Sequence, residues 1–223
     1  MPRAPDPAQA LYAAAERLAR QADDQAGLAA ALHGQGECHR MRGEHPEARA
    51  FFEQALPVAR AAANGYVEGR ALSGLGLVAE WEGDLEGALD LLQQSRARFE
   101  AAGSPRGQAL ATNNIASVYA TRGEPEQSLP LFEEVLTLAR QAGDELLEGR
   151  ALNNIGYTLL RLGRYAEAYT SLAAALGHAE RGQHRLTQLL ALHNLANLHV
   201  RQGDPERGLV YARQGLALEI GQG

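Results

Sequence analysis

An all-α fold of antiparallel helix pairs stacked into a solenoid, about eleven helices in all, is what this sequence predicts. Three observations predict it. Alanine and leucine dominate, aromatics make up only 5% and β-branched residues are scarce, a composition that favours helix over strand. Gly43, Gly83, Gly123, Gly163 and Gly203 recur in steps of 40 residues, and Ala31, Ala71, Ala111, Ala151 and Ala191 keep the same step; self-similarity at such a period marks a repeat array. Within one repeat the apolar spacing is helical. Leu152, Ile155, Gly156 and Leu159 share one face, and after Gly163 a second face follows in Ala168, Leu172, Ala175, Leu176 and Ala179.

The elements follow in chain order. Residues 1–24 form an unpaired helix: shifted by one period, Ala8, Tyr12 and Ala15 fall on Ala48, Phe52 and Ala55, so this is a second helix without its first. Asp6-Pro7 offers it a capping carboxylate and a first-turn proline. Residues 25–223 hold five helix pairs in one continuous array, each turning at its glycine, because a helix commonly ends on a left-handed residue. In the first pair Gln35 breaks a column that Leu75, Ile115, Ile155 and Leu195 keep apolar, and a small residue follows each (Gly36, Gly76, Ala116, Gly156, Ala196). Ala-Gly-Ser at 102–104 with Pro105, and Ala-Gly-Asp at 142–144, mark joints between repeats. Asp204-Pro205 starts the last helix, where Gly208 and Gly215 each cost roughly 1 kcal/mol relative to alanine. Small residues at Gly156 and Ala168 let paired helices approach, and Phe52, Leu92, Phe132 and Leu172 fill the space between units. Neither end carries a polar capping helix, which leaves room for homodimerisation through the ends.

Charge and composition exclude several function classes. A net charge of −6 without a basic, aromatic-interleaved stripe argues against nucleic acid. All 21 basic residues are arginine, so phosphate-loop and Schiff-base lysines are ruled out. Cys38 stands alone, without a disulfide or cysteine zinc cluster, and no apolar run is long enough for a signal peptide or a membrane span. The expected setting is the cytoplasm.

The small-residue columns at Gly156 and Ala168, the turn glycine and the large residue at Leu172 resemble tetratricopeptide repeats. The resemblance covers nearly the whole chain, in five units in phase, and the 40-residue step looks like the long-helix form of bacterial regulatory and scaffolding proteins. It implies a right-handed superhelix whose first helices line a concave groove. In the fourth repeat the groove face reads Arg150, Asn153, Asn154, Tyr157 and Arg161, in the fifth Leu190, His193, Asn194, Asn197 and Arg201, and in the third Leu110, Asn113, Asn114, Ser117 and Thr121. Asn114, Asn154 and Asn194 would then form a ladder of amides gripping a peptide backbone; the alternative is that these asparagines only bond to the neighbouring repeat or face water. Arg150, Arg161 and Arg201 suit an acidic segment. Trp81 falls on the groove face of the second repeat, as a binding anchor or packed on a neighbouring helix. The lysine-dependent carboxylate clamp of the family is absent in its usual form.

Catalysis is not expected. His39 and His199 fall in an interior column and read as structural, His33 and His193 lie four repeats apart, and no histidine pair has the i, i+4 spacing with glutamate of a helical zinc site. Gly34-Gln35-Gly36 and Gly74-Leu75-Gly76 sit mid-helix and follow no strand, so they are not nucleotide loops. No cofactor or metal is implied. The expected function is a non-catalytic scaffold holding a protein or peptide in the groove; the alternative is a sensor domain of a bacterial signalling or transcription protein that binds a small effector or controls an attached domain.

Overall fold

The computed structural model describes residues 7–221; the Asp6 cap lies outside them. Among the described residues there are eleven helices and no strands: α1 (Pro7–Gln21), α2 (Gln25–Met41), α3 (His45–Ala61), α4 (Gly65–Glu82), α5 (Leu85–Ala101), α6 (Pro105–Arg122), α7 (Pro125–Ala142), α8 (Glu145–Arg161), α9 (Tyr165–Arg181), α10 (Arg185–Arg201) and α11 (Pro205–Glu219). None of them is long and apolar enough to cross a membrane. One compact unit ends at Asn114, within α6, and a second begins at Ile115.

The helix ends are set by local chemistry. Gly43, Gly83, Gly123, Gly163 and Gly203 all take left-handed φ, between 73° and 85°. The residue after each turns its N–H back onto the helix just ended, as Asp84 N does to Ala79 O at 3.0 Å, which satisfies a carbonyl the helix itself leaves unpaired. Starts are capped by short side chains: Asp144 accepts from Leu147 N at 3.0 Å, Asp204 from Arg207 N at 3.1 Å and Ser104 from Gly107 N at 3.2 Å. The joints that lead into first helices hold a second left-handed column. Gly103 and Gly143 belong to it, but so do Asp23, Ala63 and Gln183, with φ of 51–53°.

In the first unit α2 packs against α3, α4 against α5, and α4 lies against both α2 and α3; α1 packs on α2. The second unit repeats the scheme with α8 on α9 and α10 on α11, and α10 against both α8 and α9. The seam of each inner pair is small-on-large. Phe52, Leu92 and Leu172 are 0% exposed and Phe132 is 3% exposed, and a Cβ built on Gly36, Gly76 or Gly156 would run into the first, second or third of these. Burying each such side chain is worth roughly 1.5–3 kcal/mol, and glycine is required at Gly156 because its Cβ would stand 2.5 Å from Leu172 Cγ. In the second unit the core joins Phe132, Ile155, Leu159, Leu172, Leu195 and Leu198.

Gln35, the break in the apolar column, is buried and donates its amide N–H to Glu16 Oε2 on α1 at 2.6 Å. That bond, ahead of the Arg20 guanidinium, holds the Glu16 carboxyl below the ordinary glutamate range. An amide therefore ties α1 to α2 where the later repeats use a leucine or isoleucine.

Candidate functional site

The residues singled out in the second unit lie on α8 and α10, which are adjacent first helices. Their 3.6-residue period puts Arg150, Asn153, Asn154, Tyr157 and Arg161 along one side of α8, and His193, Asn194, Asn197 and Arg201 along the same side of α10. Arg150, Tyr157, Arg161, His193 and Arg201 are exposed, and Asn154 and Asn197 are half-buried. No aspartate or glutamate occupies these face positions. The face is therefore cationic and rich in amides within an acidic chain.

Two of the asparagines are differently placed. Asn194 Nδ2 donates to Asn153 Oδ1 at 3.0 Å, and both residues are buried, at 6% and 5% exposure. This amide bridge joins α8 to α10, so one hydrogen bond of each amide is made to the neighbouring repeat. Asn153 and Asn154 are also paired to one another, Nδ2 to Oδ1 at 3.5 Å, and Asn113 and Asn114 stand in the same relation on α6 in the first unit, both half-buried.

The arginines are positioned from behind. Arg161 Nη1 donates to Ala120 O at 2.6 Å, covering an end carbonyl of α6, a position where a cation also meets the negative end of the helix dipole. Arg201 Nε donates to Asn197 Oδ1 at 3.2 Å, one turn earlier on the same helix.

In the first unit His33, 160 residues before His193 and so in the same repeat column, is buried at 3% exposure with its ring 5.4 Å from that of Phe52. Burial, followed by the Arg70 charge, pushes its pKa down to about 4. His193, in the same sequence column, is exposed; the neighbour of the ring, and not the column, decides its chemistry. Trp81 is 62% exposed and stacks on His45 at 4.0 Å. His199 is buried between Tyr169 and Tyr211, and His39 bonds Glu44 at 2.7 Å. Among the described residues no group of three His, Cys, Asp or Glu side chains is arranged to hold a metal ion.

Sequence reasoning missed a clamp between repeats. Glu68 on α4 is buried and meets Arg60 at 2.8 Å and Arg98 at 3.3 Å. Glu148 on α8 meets Arg140 at 3.0 Å and His178 at 3.5 Å. The two clamps are offset by two repeats, and the signal for them was the run Glu-Gly-Arg-Ala-Leu at both 68–72 and 148–152.

Solved structures share this fold. The crystal structure of BtubC (BKLC) from P. vanneervenii superposes with a TM-score of 0.80 at 15% identity, over 96% of this chain and 90% of that one. A Rap protein complexed with competence and sporulation factor gives 0.75 at 15% identity, over 87% of this chain and 54% of that one. The apo quorum sensor NprR from B. thuringiensis gives 0.74 at 16% identity, over 95% and 60%. This chain thus spans little more than half the length of the latter two. A comparison with curated proteins gives no match. The tetratricopeptide repeat model matches residues 5–61, 68–141 and 147–218, nearly the entire sequence, and the chain belongs to the tetratricopeptide repeat family.

Proposed function

We propose that this chain is a non-catalytic binding module that takes an acidic peptide segment of a partner protein on the α8–α10 face. The observation that carries the reading is the composition of that face: Arg150, Arg161, His193 and Arg201 with the amides of Asn154 and Asn197 and the ring of Tyr157, and no carboxylate, in a chain of net charge −6. Guanidinium groups recognise carboxylates through paired hydrogen bonds. An amide donates and accepts at once, so it can pair with peptide backbone of any sequence. Each such bond is worth about 0.5–1.5 kcal/mol net, so useful affinity needs several together. Within the first unit, Asn113 and Asn114 on α6 are proposed to offer amides of the same kind to a peptide. Asn153 and Asn194 serve the site by fixing α8 against α10.

A sensor reading has one specific support: the likeness to a Rap protein complexed with competence and sporulation factor and to a quorum sensor, of which this chain spans 54% and 60%. In that reading the chain binds a small effector or controls an attached domain.

The test is fluorescence anisotropy with an array of labelled acidic peptides on the native chain and on Arg150→Glu/Arg201→Glu. Binding that weakens with salt and is lost in the variant supports the site. Binding unchanged by charge reversal moves the interface elsewhere, and a small molecule that raises the melting temperature where no peptide does favours an effector sensor.

A further inference from the structure

Six side chains meet in the groove between α9 and α11, over the end of α10: Tyr169, His199, Arg207, Val210, Tyr211 and Gln214. One period earlier these positions hold Leu129, Leu159, Glu167, Thr170, Ser171 and Ala174, none of them aromatic and none cationic. In a chain whose columns otherwise repeat, three aromatic rings and a guanidinium have thus replaced their column residues at a single place. His39 stacks on Phe51 in the same columns of the first unit, but there Gln9 and Glu44 bond the two ring nitrogens. At His199 the flanking groups are two tyrosines.

His199 is 6% exposed and forms the floor, its ring stacked on Tyr211 at 5.5 Å and edge-on to Tyr169 at 6.0 Å. Burial, followed by a hydrogen bond with Tyr169, raises the Tyr211 phenol above its ordinary value of 10, so it stays protonated at neutral pH. In front of the rings lies a cavity of about 290 Å³ that Arg207, Val210 and Gln214 border; one of roughly 150 Å³ already takes a benzene ring. Among the described residues, those lining it include no aspartate or glutamate. The Arg207 side chain is 73% exposed, and its Nε stands 3.8 Å from Asp204. A following helix pair does not cover these columns: Glu167, Thr170 and Ala174 are exposed although α10 and α11 follow them.

We propose that this cavity binds a small planar aromatic carboxylate one ring in size, its carboxylate on Arg207 and Gln214 and its ring against Tyr169, Tyr211 and Val210. The inference goes beyond the peptide-binding reading and does not rest on it, since the peptide face belongs to α8 and α10. The guanidinium fork matches a carboxylate through paired hydrogen bonds. Arg207 repels a cation. Tyrosine rings favour an aromatic guest in offset or edge-on contact, which an aliphatic acid or a bare inorganic anion leaves unused.

The experiment titrates the full chain by NMR with benzoate, benzamide and cyclohexanecarboxylate. Benzoate is expected to give saturable shifts confined to the cavity residues. Benzamide, without the charge, is expected to bind roughly tenfold more weakly, and cyclohexanecarboxylate, without the π-system, about threefold more weakly. Arg207→Gln changes an exposed side chain and is expected to keep the native helicity while levelling benzoate with benzamide. Tyr169→Leu returns the residue found at Leu129 and is expected to remove the preference for benzoate over cyclohexanecarboxylate. Arg150→Glu/Arg201→Glu is expected to bind benzoate as the native chain does; loss of binding there places the anion on the peptide face and overturns the site. Absence of saturable benzoate shifts in the native chain overturns it, as do shifts that survive Arg207→Gln unchanged or equal binding of all three compounds.

Discussion

Asn194 and Asn153 hold α10 to α8 through one buried amide hydrogen bond of 3.0 Å. Removing either partner leaves the other amide desolvated and unpaired, which costs about 1–3 kcal/mol. Asn153→Ala and Asn194→Ala are each expected to lower the unfolding free energy from urea titration by that amount, and the double variant to cost less than the sum of the two. Additive losses in a double-mutant cycle would show that the bridge contributes no coupling. The half-buried Asn197 differs from this pair: its alanine variant is expected to keep stability within about 0.5 kcal/mol and to weaken peptide binding.

Glycines in the two halves of the second unit's seams behave oppositely. At Gly156 a Cβ would stand 2.5 Å from Leu172 Cγ and 3.2 Å from Ala168 O, so Gly156→Ala forces the paired helices apart and is expected to cost about 1–3 kcal/mol. At Gly215 the nearest atom is 3.8 Å away. Gly215→Ala is therefore expected to gain about 0.5–1 kcal/mol from helix propensity. Thermal unfolding of the two single variants checks both signs, and a stabilised Gly156→Ala would contradict the seam packing described here.

Much of the fold was legible because a 40-residue period with helical spacing leaves few architectures open. What escaped notice has physical reasons. The doublets Asn113-Asn114 and Asn153-Asn154 occupy successive helical positions about 100° apart, so periodicity could not decide which amide turns to a neighbouring helix and which to solvent. Gln35 looked like a defect because its partner, Glu16, lies on another helix 19 residues earlier. The left-handed joints at Asp23, Ala63 and Gln183 were invisible because sequence reading finds such joints by their glycines, and only Gly103 and Gly143 advertised the column.

That joint column offers a reciprocal exchange. Ala63 holds φ of 51° and Gly143 holds 64°. A left-handed non-glycine residue costs about 1–2 kcal/mol, offset in part by the extra freedom glycine gives the unfolded chain. Ala63→Gly is expected to raise stability by about 0.5–1 kcal/mol and Gly143→Ala to lower it by about 1 kcal/mol. Chemical denaturation of both decides it: a destabilised Ala63→Gly would mean that the Ala63 methyl makes packing contacts worth more than the backbone strain.

Acid sensitivity should be concentrated in His33. Its ring is 3% exposed and lies 5.4 Å from Phe52, and burial together with the Arg70 charge lowers its pKa to about 4 from an ordinary value of 6.5. The unfolded chain binds this proton more readily than the folded one, so stability rises with pH between the two values. The contribution is fully present above pH 6.5, is lost progressively as the pH falls towards about 4, and is constant below that. Its full size is about 3 kcal/mol, at about 1.4 kcal/mol for each pH unit between the two values. His33→Leu keeps an apolar side chain against Phe52 and cannot take up the proton. Its urea midpoint is expected to stay nearly flat from pH 7 to pH 5, where that of the native chain falls. A variant whose midpoint fell in parallel with the native chain would place the acid sensitivity in another group.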